Sequence, residues 1–352
     1  MVELLTLIAA FIGCALILPQ AERVAPSLGM VDRPAARKVH ARPIARTGGW
    51  GIALGASIPF LLAQGSGPMA ASFAGAAALL FLFGSWDDAR NLGHRTKFTG
   101  QIVAAALVVY HGDLWVQRFP LLGDLLLPAW IGRPFTVFAL VGTMNAVNHS
   151  DGLDGLAGGE SLLSLCTMGT LLLLSSSAGD PGAVLACATV GATAAFLRWN
   201  IHPARIFMGD TGSGFLGLAL GTLAVYLTQV ADVSVSPAAA LLLIGLPVAD
   251  LLVVLALRVR GHESWFAASR NHFHHRLLDR GFPHRVTVWI LWSVQAVLVT
   301  SGYLLRSLPD WMLLAWYVAV CGALVLFLVA AERRGWTFHG ELTAVRGDLP
   351  PN

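Results

Sequence analysis

Charge is scarce in this chain. Asp, Glu, Lys and Arg make up only 12% of its 352 residues, about half the ~25% usual in globular proteins, which excludes an ordinary pair of soluble domains. Lysine is nearly missing, with Lys38 and Lys97 as the two examples against 21 arginines. Cysteine is sparse as well. Cys14, Cys166, Cys187 and Cys321 each sit inside an apolar stretch without pairing or metal-ligand spacing, which excludes a disulfide framework. No internal repeat or low-complexity linker is visible. No gap between apolar runs is long enough to bury a core, so one domain over 1–352 is expected. The first apolar segment opens Met1-Val2-Glu3 without a basic n-region, which reads as a span rather than a cleaved signal peptide. No nucleic-acid partner is expected.

What the chain has instead is apolar length. Residues of the AVILMFWYC set reach 56% and mean hydropathy is +0.67, so lipid is the expected solvent. Eleven segments are long enough to cross a ~30 Å hydrocarbon layer as helices, some tilted or short. They run approximately 2–19, 48–64, 69–85, 100–117, 134–148, 159–176, 181–197, 212–230, 237–257, 286–305 and 311–330. The expectation is an all-α polytopic membrane protein. Alternating the loops places 20 of the 23 Lys and Arg on one side, in 20–47, 86–99, 198–211, 258–285 and the tail 331–352. That bias puts this side in the cytoplasm, with the N-terminus outside and the C-terminus inside.

The carboxylates and histidines follow the same partition. Asp87 and Asp88 end the third span, where adjacent charges repel unless they share a cation or proton, although a helix-cap reading stays open. Loop 145–158 carries Asn148, Asp151 and Asp154 among glycines, and a helical turn would put both aspartates on one face. Asp210 precedes the eighth span, where a helix N-terminus favours anions. The stretch 269–282 holds His272, His274 and His275 with Arg270 and Arg276. Without a nearby cysteine or zinc-like spacing, these read as phosphate donors or surface histidines. Loop 20–47, with Lys38 and His40, reads either as a positive-inside loop or as part of a site. Asp250 stands alone inside a span, about 12 Å below the surface by helical rise, with Pro247 expected to open the helix to water. Glu160 is expected to cap the sixth span. Hard oxygen donors beside cations suit a phosphate-bearing substrate with Mg²⁺, or Mn²⁺ in its place.

These five segments, in this order over approximately 20–330, resemble the polyprenyl-phosphate N-acetylhexosamine-1-phosphate transferase superfamily, glycosyltransferase family 4. The similarity is strongest to its bacterial undecaprenyl-phosphate GlcNAc-1-phosphate branch, whose members have eleven spans. The resemblance implies that Asp87 and Asp88 activate the lipid phosphate and that Asp87 contributes to Mg²⁺ binding. It implies Asp210 and Asn148 as further metal residues, and Asp151, Asp154 and Lys97 as catalytic ones. Lys38 and His40 match a lipid-phosphate element. His272, His274, His275, Arg276 and Arg205 fall to the nucleotide sugar. Ala45 departs from a common second proline. The His-Phe-His-His order is closer to this branch than to the phospho-MurNAc-pentapeptide translocases, which remain the alternative.

The implied reaction moves a sugar-1-phosphate from a UDP-sugar to undecaprenyl phosphate at the cytoplasmic face of the bacterial inner membrane, releasing UMP. The lipid bilayer itself is a partner. The sugar, the glycan pathway and a homodimer are left open by the sequence. An anion or metal transporter is the rival of another class. It would place ionisable residues at mid-bilayer, usually with repeat symmetry, which only Asp250 resembles.

Overall fold

The computed structural model describes residues 1–33, 43–123, 125–175, 177–231, 235–262 and 269–338. Lys38 and His40 lie outside the described residues. After α1 (Val2–Val24) comes a short antiparallel hairpin, β1 (Val31–Asp32) with β2 (Ile44–Ala45). Then follow α2 (Gly48–Gln64), α3 (Pro68–Arg90), α4 (His94–Ala106), α5 (Ala129–Ser150), α6 (Leu156–Ser175), α7 (Pro181–Asn200) and α8 (Gly209–Gln229). The chain continues through α9 (Ala239–Ile244), α10 (Leu246–Arg260), α11 (Phe273–Asp279), α12 (His284–Leu304) and α13 (Asp310–Arg333).

Seven of these helices, α1, α3, α6, α7, α8, α12 and α13, are long and apolar enough to cross a membrane. The other expected spans are helical too, each with a reason for departing from a plain apolar rod. Helix α2 has 17 residues and contains Pro59. Helix α4 has 13 and runs into a π-helical turn at Leu107–His111. Helix α5 is diluted by Arg133, Asn145, Asn148 and His149.

The ninth expected span is broken, though not where proline predicts. The chain turns at Gly245, φ 51°, between α9 and α10. Pro247 sits in the first turn of α10, where a missing N–H costs no helix bond. The break is closed by protein rather than opened to water. Tyr317 donates to the Gly245 carbonyl at 3.0 Å, and the Leu246 N–H donates to Gln295 Oε1 at 2.8 Å. Glu160 also departs from expectation: it lies buried in the second turn of α6 and accepts from Ser150 of α5.

Helix α8 is the hub. It is buried continuously from Thr211 to Thr228 and touches α2, α3, α5, α6 and α7, so it must be almost free of charge on all sides. Glycines permit the approach at chosen points. A Cβ on Gly217 would overlap the Met144 Cα of α5, whereas one on Gly214 would meet nothing within 4 Å. Gly217→Ala should therefore cost about 1–3 kcal/mol through overpacking. Gly214→Ala should be neutral or stabilising by up to about 1 kcal/mol. Thermal unfolding of the two variants in one detergent checks the contrast, and equal melting points would contradict it.

Candidate active site

The first turn of α8 has N–H groups that no helical carbonyl can reach. A carboxylate from another helix takes them. Asp88, in the last turn of α3 and only 3% exposed, accepts from the Asp210 N–H at 2.8 Å, the Thr211 N–H at 3.1 Å and Thr211 Oγ1 at 2.9 Å. This is a helix cap supplied across the fold, with its charge at the positive end of the α8 dipole. Gly209 makes it possible. Its φ is +70°, and a Cβ there would come 2.7 Å from both Asp88 oxygens. The cap reading left open for the aspartate pair is thus realised, but on α8 rather than on α3.

Asp87, one residue earlier, turns roughly 100° away. It accepts from the Leu92 N–H and binds Lys97 Nζ at 2.6 Å. The same ammonium lies 3.1 Å from Asp210 Oδ1. Asn148 at the end of α5 donates to that Asp210 oxygen at 2.6 Å and to Ser213 at 2.9 Å. Three distant stretches of sequence, 87–97, 148 and 210–213, therefore meet around Asp210. Asp151 follows directly, in a non-helical cap of α5. Among the described residues its carboxylate takes no hydrogen bond. Burial, then the charges of Asp210, Asp88 and Asp154, push its carboxyl up to about 7, against a smaller pull from Arg46.

Asp154 goes elsewhere. Helix α5 ends before it, and the intervening turn breaks the single face that a helical spacing predicts. Its carboxylate binds His202 Nδ1 at 2.7 Å and the Ala204 N–H at 3.0 Å, while its own N–H donates to His284 Nε2 at 3.1 Å. The His202 and His284 rings stack 4.1 Å apart. This Asp154–His202–His284 group clasps loop 151–155 to the α7–α8 loop and the start of α12.

The histidine segment arrives from the other flank. His272 caps α11, and its ring stacks on His149 at 5.0 Å. His274, 2% exposed, presses its Nε2 against Gly152, where any Cβ would collide. Burial, then the neighbouring imidazoles, hold His274 well below the usual histidine range. Burial likewise lowers His275, with His272 and Arg270 adding to it. Both shifts disfavour the cationic form.

Two arginines assigned to the nucleotide sugar are engaged away from these carboxylates. Arg276 makes a two-pronged pair with Glu332 of α13, at 2.8 and 3.0 Å. Arg205 stacks over Trp199 at 4.3 Å, near Glu22 of α1, in a groove of about 310 Å³ also lined by Arg198 and Ala15. Conversely, several participants were not singled out from sequence. Arg46 binds Asp32 at 2.9 Å and reaches Asn91 at 3.4 Å, while backbone bonds from Phe207 to Ala45 and from Gly48 to Phe207 sew its hairpin to the strand entering α8. His149, His202 and His284 are the others. Each lies in or beside a loop already marked as polar, and that position was the only signal.

Removing the trans cap should show in stability before chemistry. Asp88→Ala strands two N–H groups and a hydroxyl in a buried site and should cost about 1–3 kcal/mol. Asp210→Ala, which removes a side chain that is 24% exposed, should stay within about 1 kcal/mol of wild type. Melting curves of the two purified variants check the order.

The family model described as Glycosyl transferase family 4 matches residues 70–228. The chain is 32% identical over 317 residues to a "probable undecaprenyl-phosphate N-acetylglucosaminyl 1-phosphate transferase" of Bacillus subtilis (strain 168), covering 87% of this chain and 85% of the relative. It is 33% identical to a decaprenyl-phosphate N-acetylglucosaminephosphotransferase of Mycolicibacterium smegmatis, covering 87% and 83%. To the undecaprenyl-phosphate alpha-N-acetylglucosaminyl 1-phosphate transferase of Escherichia coli (strain K12) it is 28% identical, covering 98% and 95%. Family model and relatives agree: the chain belongs to glycosyl transferase family 4, the polyprenyl-phosphate hexosamine-1-phosphate transferases.

Proposed function

We propose that the chain transfers N-acetylglucosamine-1-phosphate, or a close N-acetylhexosamine relative, from its UDP derivative to undecaprenyl phosphate and releases UMP. The observation that carries this reading is the convergence of Asp87, Asp210, Asn148 and Lys97 at the α8 N-terminus, with the unbonded Asp151 beside them. Names given to the relatives supply the donor and acceptor classes. In this reading the chain works as one integral-membrane unit of eleven spans, counting α2, α4, α5 and the broken α9–α10 pair with the seven clear ones. The arginine bias sets the N-terminus outside and the site at the cytoplasmic face of the inner membrane. Neither the peptidoglycan branch nor a transporter is favoured. The polar groups gather at one end of the bundle, at the ends of α3, α5 and α10 and the starts of α2, α8 and α12.

The chemical obstacle is electrostatic, because an anionic phosphate must attack an already anionic diphosphate. Lys97 is the cation best placed to draw the lipid phosphate toward the reacting centre. Asp87, its partner, takes the phosphate's residual proton, whose ionisation lies near neutral, roughly 6. Asp88, with both oxygens in the cap, holds the α8 N-terminus in line rather than reacting. The donor set fits a hard divalent cation, since Asp210, Asp87 and Asn148 offer oxygens and Asp151 has a carboxylate without a hydrogen-bond partner. Bound there, Mg²⁺ would neutralise the diphosphate and the departing UMP.

Radiolabelled UDP-N-acetylglucosamine with undecaprenyl phosphate and Mg²⁺ tests the reading. Label should enter the organic phase with the wild type and fall by at least about 10²-fold with Asp210→Asn, while membrane insertion is unchanged. Near wild-type transfer by Asp210→Asn, or no transfer by the wild type with any UDP-N-acetylhexosamine, would overturn it.

A further inference from the structure

Asp250 is not bonded to the carboxylate cluster, and its surroundings are specific. It lies in the second turn of α10, 5% exposed. The α9–α10 break sets its position, held as described by Tyr317 and Gln295, the latter also donating to Ser164 at 2.8 Å. From this fixed point the carboxylate makes two bonds across to the histidine segment. Oδ2 meets His272 Nδ1 at 2.8 Å, and Oδ1 accepts the Phe273 N–H at 2.8 Å. His272 is itself 5% exposed. The space beside them, lined by Glu160, Ser150 and His274 among others, is about 10 Å³, enough for one water at most. His272 and the Phe273 N–H are therefore the main partners of this charge. A buried carboxylate left without its donor is costly, so the pair is held together.

We infer that Asp250 is the positioning residue for His272. Resting on the transfer reaction proposed above, this assigns the deep aspartate to the nucleotide-sugar side of the site rather than to the metal side. An ionised Asp250 requires a proton on Nδ1. That fixes both the rotation and the tautomer of the ring and leaves Nε2, on the opposite edge of the imidazole, for the donor substrate. The bond to Phe273 N–H fixes the backbone of the same segment, so ring and main chain are set by one group. The division of labour is that of a buried acid orienting a working histidine.

The expected disturbance is a swap of tautomer. In Asp250→Asn, the amide oxygen keeps the Phe273 N–H and the amide nitrogen donates to His272 Nδ1, forcing the neutral ring's proton onto Nε2. Nitrogen-15 spectra of histidine-labelled full-length protein in nanodiscs, assigned with His272→Gln, read the tautomer without turnover. The wild type should show Nδ1 protonated, and Asp250→Asn should show the opposite. Turnover should fall about 10²–10³-fold in Asp250→Asn with partial return in Asp250→Glu. On a His272→Gln background, Asp250→Asn should cost nothing more, because the acid acts through the ring; a purely structural role would make the losses multiply. A wild-type His272 with bare Nδ1, or multiplicative losses, overturns the inference. Absence of transfer in the wild type would overturn the reaction proposed above and leave the tautomer measurement standing.

Discussion

The structure depends on how the N-terminus of one buried helix is satisfied. Helix α8 runs through the middle of the bundle and begins inside protein, so its first N–H groups have no water to turn to. Asp88 answers them from α3, and Gly209 leaves room for the carboxylate to approach. Once that joint is made, Asp210 is locked beside the cap, and Asp87 is locked on the adjacent face of α3 with Lys97 between them. A single requirement of hydrogen bonding thus assembles like charges that would otherwise repel, and concentrates them where a cationic ligand is welcome.

The histidine flank is built by the complementary device, close backbone approach. Gly152 admits the His274 ring, and His149 provides a face for His272. The Asp154–His202–His284 clasp fastens the intervening loop on its outer side. Residues more than 100 positions apart are thereby in contact, and the Asp-Asp pair and the histidines border the same loop, 148–155. These groups gather toward one end of the bundle. The placement follows from solvent, since ionised groups in the hydrocarbon interior are expensive and gather at an interface or in pairs.

The burial of Asp250 fits the same economy. A carboxylate inside a span is tolerated when its partners are fixed beforehand, and the closed break at Gly245 does this by filling the exposed carbonyl and N–H from α13 and α12. Proline marked the region in the sequence, yet the turn lies two residues earlier, because a glycine with positive φ gives a sharper change of direction than a proline in a first helical turn.

Much of the chain could be read without coordinates. Hydropathy marks most of the long helices, because apolar length and sparse charge leave lipid as the solvent, and the loop arginines and glycine-flanked aspartates mark the polar segments and their order. Partnership could not be read. Asp151 and Asp154 are three apart yet serve different groups, since the helix ends between them. Asp87 and Asp88 are neighbours yet one meets a lysine and the other a helix terminus, since successive side chains on a helix diverge. Arg205 and Arg276 carry the right charge in the right loops but find Trp199 and Glu332 first. Sequence determines which residues are placed near the interface; the packing of α3, α5, α8 and α10 decides which of them touch, because hydrogen bonds act over about 3 Å and that precision exists only after the helices have docked.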